Sequence, residues 1–429
     1  MTESKEKAFY GNRLIFILFF IYCVQMGFAL YSRAVLYPFM LDELGWARTQ
    51  IMLGHTATSM LFGFASPLTA WLINRYGAKF TISLGAGIII VSNTLMGLFA
   101  QTYPLYLLLS ILNGFGLCFS SMLATQTIVI AWFNVRRSLA LGLVLGGGSV
   151  GGFLFPQLVT AIVNAANGNW RLGWFVCALF SFLVLTINVL FTRNKPSDIG
   201  QYPDGLAPGA AAKNGAGQAT TYRSPVNWKL RDAVRTPSLW LVILAAAGNL
   251  FLWHVMLSQG PFHLQDRGFD PYYASFFYSL AIGTSIVGRL AIGAIGDRIE
   301  PRYLFGLGIM FILFGGLAFW FASPQYLWLA YLYPILSGIG FGTAFLCRSL
   351  LISNYFGAGS FATISAFTNP IGSLITAFAP PLAGYLFDTT GTYFTILVFA
   401  WLLAIVGFTA ALRCAPPRLP AEYSTADAG

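Results

Sequence analysis

Apolar runs of twenty or more residues recur along this chain, starting with "LIFILFFIYCVQMGFALY" at Leu14. A stretch of that length without charge crosses a bilayer as a helix, because a rise of about 1.5 Å per residue makes roughly twenty residues match the hydrocarbon core. Barrel strands would show instead as segments of about ten residues with alternating polarity. Of the 429 residues, 57% are hydrophobic and 9% charged, whereas soluble domains carry roughly 25% charged residues. The chain reads as a polytopic, all-α membrane protein. Its first apolar run is too long for a signal-peptide core and lacks a clear cleavage site, so it is expected to stay as helix 1.

Twelve spans are expected, at 14–38, 50–74, 80–101, 104–131, 139–165, 170–192, 238–259, 271–296, 302–322, 325–353, 359–386 and 391–412. An even number puts both termini on one side. That side collects eighteen of the 24 Lys and Arg residues, the other side receives three, and Arg33, Arg289 and Arg348 fall inside spans. The excess predicts cytoplasmic termini in a plasma (inner) membrane. The net charge of +10 is thus a topology signal, and no nucleic-acid partner is expected.

A stretch at 193–237, rich in Gly, Ala, Pro and charge, reads as a cytoplasmic linker with a partly disordered middle. It separates six-helix bundles at 14–192 and 238–412, flanked by an N-terminus at 1–13 and a tail at 413–429. The halves read as repeats. "SPLTAWLINRYGAK" after helix 2 matches "GRLAIGAIGDRIEPR" after helix 8, and the stretches at 132–162 and 355–385 share an aromatic turn, a glycine cluster and a proline.

With these features the sequence resembles the major facilitator superfamily, which implies two pseudo-symmetric six-helix bundles rocking about a central site. The family's signature after helix 2 is reduced here to Ala70, Asn74, Arg75, Gly77 and Lys79. The second copy keeps Gly293, Asp297, Arg298 and Arg302, with Glu300 in place of a glycine. The resemblance makes Asn74, Arg75, Asp297 and Arg298 the expected conformational latch. Within the superfamily, "GWARTQ", "WFNVRRSLALG", "KPSDIGQYPDG" and "RLAIGAIGDR" look like the monocarboxylate transporters and the related oxalate/formate exchangers. That likeness implies that Arg289, in helix 8, pairs with a substrate carboxylate. Arg33 stands where animal members carry a lysine near the outer end of helix 1, and Ser285 where they carry an aspartate.

An arginine near the bilayer centre costs about 2.5–3.5 kcal/mol on insertion scales unless it finds water or a partner. None of the fourteen acids lies deep in a span; only Asp297 and Asp388 approach a helix end. Arg289 therefore either snorkels to the cytoplasm or faces a cavity in which the transported anion is its counter-ion. Arg33 reads as an outer-interface arginine or a second substrate contact, and Arg348 as a snorkelling residue or an additional anion contact. Guanidinium stays charged at physiological pH and cannot carry a proton. Proton coupling would fall to His55, His254 or the substrate itself. Tyr31, Asn113, Gln126, Asn249, Ser285, Tyr331 and Asn369 are the polar candidates to complete a substrate pocket.

The five cysteines form no CxxC or Cys/His cluster, and no nucleotide loop or catalytic constellation occurs. No metal, cofactor or enzymatic activity is expected. The sequence thus predicts a secondary transporter, acting as a monomer, of small monocarboxylates such as lactate or pyruvate, linked to protons. The alternatives are an exchanger of dicarboxylates or other more highly charged anions and a non-transporting sensor of the same fold.

Overall fold

The computed structural model describes residues 9–46, 48–206 and 221–419. Parts of the expected N-terminus and tail, and the middle of the linker, lie outside the described residues. Among the described residues, eleven helices are long and apolar enough to span a bilayer, and one bent pair completes a twelfth. The spans are α1 (Gly11–Leu44), α2 (Arg48–Phe64 and Ser66–Tyr76), α3 (Ala78–Phe99), α4 (Tyr103–Trp132), α5 (Arg137–Ala165) and α6 (Trp170–Phe191). After the linker come α7 (Pro237–Asp266), α8 (Pro271–Ile295), α9 (Pro301–Phe321), α10 (Leu327–Phe356), α11 (Phe361–Thr390) and α12 (Phe394–Arg413). The protein is an all-α, multi-pass integral membrane protein.

Local chemistry explains where the spans depart from a plain reading of hydropathy. α1 runs through Arg33 and Pro38 to Leu44, six residues past the expected end at 38, and stops at Gly45, whose φ of 64° suits glycine as a left-handed cap. A π-helical turn at Gln25–Tyr31 widens its middle. α2 bends by 47° between its two segments, and Pro67 restarts the helix in its first turn, where its missing N–H leaves no partner wanting. α4 is interrupted at Ser121, whose backbone leaves helical geometry.

α1–α6 pack mainly among themselves, as do α7–α12, and the halves meet along α5 with α8 and α2 with α11. The α5/α8 seam is tight because it is lined by small residues. A Cβ placed on Gly142 would lie 2.7 Å from the Arg289 carbonyl oxygen and 2.9 Å from Gly293 Cα, so only glycine lets these backbones approach so closely.

Hydrogen bonds close the two halves together on the side of the termini and linker. Asn74 Nδ2 donates to Thr363 Oγ1 at 3.1 Å, Gln126 Nε2 to Ser349 Oγ at 2.9 Å and Arg137 Nη1 to Asn354 Oδ1 at 3.1 Å. The Asp297 carboxylate, at the end of α8, accepts from Ser138 N–H and Oγ at the start of α5. A helix N-terminus has unpaired N–H groups and a partial positive charge, so a carboxylate from the other half is an apt cap.

The linker takes part in this closure. Asp204 accepts the backbone N–H groups of Asn134 and Val135 at 2.8 and 2.7 Å. Arg223 reaches Asn134 Oδ1 at 2.7 Å and Asp297 Oδ1 at 3.0 Å, tying the loop after α4 to the end of α8. Burial raises the Asp297 carboxyl above the usual carboxylate range, while its bonds from Ser138 and the nearby Arg223 charge pull it down. Of the other residues expected in the latch, Arg75 stacks on Trp71 and Tyr76 of its own segment, and Arg298 is exposed.

Candidate functional site

A cavity of about 250 Å³ lies between the halves. α1 contributes Tyr22, Met26 and Tyr31, α2 Ser59 and Ser66, and α4 Cys118. From the other half come Leu250 and His254 of α7, Arg289 of α8, Phe345 and Arg348 of α10, and Asn369 of α11. Two arginines and no acid stand among the described residues of its wall. The side chain of Asp388 lies outside the described residues.

Arg289 is 6% exposed. Its Nη1 donates across the seam to the Leu145 carbonyl at 2.6 Å and to Ser149 Oγ at 2.8 Å, both on α5. Its Nε has no hydrogen-bond partner. The guanidinium lies 5.1 Å from the Phe345 ring centre, where the ring's negative face partly offsets the charge. Ser285 is one bond removed from it. Ser149 and Ser285 hydroxyls are 2.9 Å apart, and Ser285 donates to the Ile282 carbonyl, so Ser149 accepts from Arg289 and donates to Ser285.

Arg348 lines the same cavity rather than reaching for the membrane surface. Its Nη2 donates to Thr368 Oγ1 at 2.9 Å and Asn369 Oδ1 at 2.8 Å, and Asn369 Nδ2 continues across the halves to Ser66 Oγ at 3.2 Å. Because a carbonyl only accepts, the 2.8 Å contact of His254 Nδ1 with the Leu250 carbonyl places the ring proton on Nδ1. Nε2 is then left as an acceptor.

Other candidates sit away from the cavity; for Arg33, His55 and Asn113 the reason is that their polar atoms are used in bonds inside one half. Arg33 is 1% exposed, donating to Thr58 Oγ1 and to Ser110 Oγ, with the Trp174 ring 5.5 Å away. His55 pairs with Tyr37 in the same bundle at 3.1 Å. Asn113 donates to Ser92 and Asn93. Gln126 belongs to the closed terminal side. Asn249 is buried with its Nδ2 unpartnered and is not among the lining residues, although its neighbour Leu250 is. Tyr331 is 39% exposed and packs against Phe277. Tyr22, in the cavity wall, and Ser149 were hidden in the sequence by the apolar runs around them, and Asp204 and Arg223 by the distance along the chain to the residues they bond.

Residues 15–380 match the sequence profile of the Major Facilitator Superfamily. Monocarboxylate transporter 2 of Rattus norvegicus is 27% identical over 346 residues, covering 76% of this chain and 67% of that protein. Monocarboxylate transporter 13 of the same species is 28% identical over 357 residues, 80% and 75% of the two chains. The glycerol-3-phosphate transporter of Bacillus subtilis (strain 168) is 23% identical over 427 residues, 95% and 94% of the two. The crystal structure of the E. coli fucose:proton symporter shares the fold, with a TM-score of 0.68 over 94% of this chain and 98% of that one at 14% identity. With twelve helices in two halves about one central cavity, and a profile match over most of its length, the chain belongs to the major facilitator superfamily and is a transporter rather than an enzyme.

Proposed function

We propose that the protein carries small organic monocarboxylates, such as lactate or pyruvate, across a plasma (inner) membrane with its termini in the cytoplasm. One observation supports this reading above the rest: Arg289 holds a buried guanidinium in a cavity whose described wall has no acid. A permanent cation in low dielectric wants a counter-ion. A carboxylate fits because a guanidinium presents a planar fork of donors to its two oxygens. The apolar wall around it, with Met26, Leu250 and Phe345, suits a short carbon chain. The named monocarboxylate relatives point the same way.

Labelled lactate uptake into proteoliposomes tests the proposal, with either a pH gradient or internal anion as driving force. Arg289→Lys keeps the charge and removes the fork. Loss of one charged hydrogen bond of about 1.5–3 kcal/mol predicts a drop of roughly 10- to 150-fold in transport efficiency. Uptake unchanged in the lysine variant would remove the fork from the mechanism.

Arg348 on the same wall favours a second reading, exchange of dicarboxylates, since two cations can hold two carboxylates. Competition decides between them. If a four-carbon dicarboxylate displaces labelled lactate at lower concentration than lactate itself, the second reading replaces the first.

A further inference from the structure

We propose that the terminal-side ends of α2, α3 and α6 form a binding site for the phosphate of an anionic phospholipid. The site lies outside the central cavity and does not depend on what the cavity carries. Its centre is a pair of cations pinned side by side. Asn194, just past α6, accepts the Lys79 backbone N–H at 2.8 Å, and Asn188 Nδ2 donates to the Lys79 carbonyl and to Ser83 Oγ, both at 2.9 Å. These bonds bolt the α2–α3 turn to the end of α6, which brings Lys79 and Arg193 within electrostatic reach of each other. Both side chains are half-buried. Arg75 adds a third charge on the last turn of α2.

Among the described residues, no carboxylate pairs with any of the three. Arg193 donates only to carbonyls of its own helix end, at Leu190 and Thr192, and Arg75 Nε donates to Tyr76 Oη. Like charges held together without an acid gain when an anion sits between them. The general excess of Lys and Arg on this side needs only hydrated side chains; pinning two of them together through asparagine bonds is more than that bias requires. Arg75 and Lys79 also belong to the stretch expected to latch the halves. There Asn74 bonds to the other half, while Arg75 turns to the rings beside it.

Those rings distinguish a lipid from a soluble phosphate. Trp71, Tyr76 and Phe80 are 51%, 50% and 45% exposed, and their centroids follow one another at 6.0 and 5.1 Å. The Arg75 guanidinium lies 5.8 Å from the Trp71 ring and 5.6 Å from Tyr76. Such rings favour the headgroup level of a bilayer. One turn deeper on the same two helices, Leu68 and Leu84 are exposed as well. Phosphate at the cations thus leaves its acyl chains on a continuous apolar face.

The test titrates the full-length protein with phosphatidylglycerol or phosphatidylcholine and counts bound lipid by native mass spectrometry. Wild type is compared with Lys79→Gln/Arg193→Gln, which spares the backbone bonds of Lys79, and with Arg231→Gln/Arg235→Gln, which removes two exposed cations from the terminal side of the other half. The first pair should lower the preference for phosphatidylglycerol about 25-fold, roughly fivefold for each charge, and the second should leave it unchanged. Equal losses in both would reduce the site to diffuse attraction and overturn the proposal. So would inorganic phosphate that displaces phosphatidylglycerol as well as free phosphatidylglycerol does, since the ligand would then be a soluble anion. A photoreactive phosphatidylglycerol on wild type decides independently of how the variants fold: adducts should map to residues 71–84 and 190–195, and adducts spread evenly over the terminal-side helix ends would refute the site.

Discussion

Gly142→Ala should shift the carrier away from the state closed on its terminal side without unfolding it. The new Cβ would stand 2.7 Å from the Arg289 carbonyl oxygen and 2.9 Å from Gly293 Cα. Ordinary contact begins near 3.4 Å, so α5 and α8 must part by several tenths of an ångström, and neither obstacle is a side chain that can swing aside. Overpacking of this kind costs about 1–3 kcal/mol. Since α5 and α8 belong to opposite halves, that penalty falls on the closed state and is relieved when the halves part. The closed-to-open ratio should therefore fall by roughly 5- to 150-fold. A single cysteine placed on the terminal side of α5 would report this as faster maleimide labelling, with the melting temperature little changed. Gly342→Ala is the contrasting control. Its Cβ would meet the Ser285 carbonyl oxygen at 2.0 Å, but α8 and α10 lie in the same half, so it should lower thermal stability in every state. Unchanged labelling in Gly142→Ala, or a fall in melting temperature matching that of Gly342→Ala, would refute the assignment of this seam to a moving interface.

The buried Asp297 carboxyl, raised above the usual range, makes the closed terminal side pH-dependent. The closed state holds this proton more tightly than an open state that exposes the carboxyl. Closure should thus be favoured as pH falls towards the ordinary carboxylate value and lost as pH rises through the raised one; terminal-side labelling should track this in wild type and be flat in Asp297→Asn. Arg223→Ala removes the linker's tie between Asn134 and Asp297 and should speed the same labelling while sparing the melting temperature. The Arg171–Glu43 pair, at 2.8 Å but with side chains 29% and 47% exposed, should matter little: Glu43→Ala is expected to change stability by no more than about 1 kcal/mol, and a larger loss in thermal unfolding would count against that view.

The spans were legible because apolar length is a local property, and Arg289 stood out because a lone cation interrupts such a run. Azimuth was not legible. Depth along α1 can be counted for Arg33, but the face it presents depends on the π-helical turn at Gln25–Tyr31 and on neighbours far away in sequence. The same holds for asparagines: Asn369 in the cavity and Asn113 in a bond to Asn93 look alike within apolar helices. Glycine and proline marked where helices could approach or bend, yet the break at Ser121 carries neither residue. The contacts of the linker's flanks were not legible in its composition. Its Gly- and Ala-rich middle is flanked by Asp204 and Arg223, whose bonds to Val135 and Asp297 join residues 69 and 74 positions apart, a separation at which no sequence pattern survives.

Both cavity arginines donate towards the opposite half of the molecule, Arg289 directly to the Leu145 carbonyl and Arg348 by way of Asn369 to Ser66. On the proposed function, an arriving anion would compete for these same donors, so occupancy and closure would not be independent. Each carboxylate that drew a guanidinium to itself would weaken a bond that keeps the terminal side shut. The loaded and empty carriers then face different barriers to reorientation, with the empty one held back more strongly. Cargo waiting on the far side should hasten the return journey, and one-for-one trade of anions across the membrane should outpace net flux.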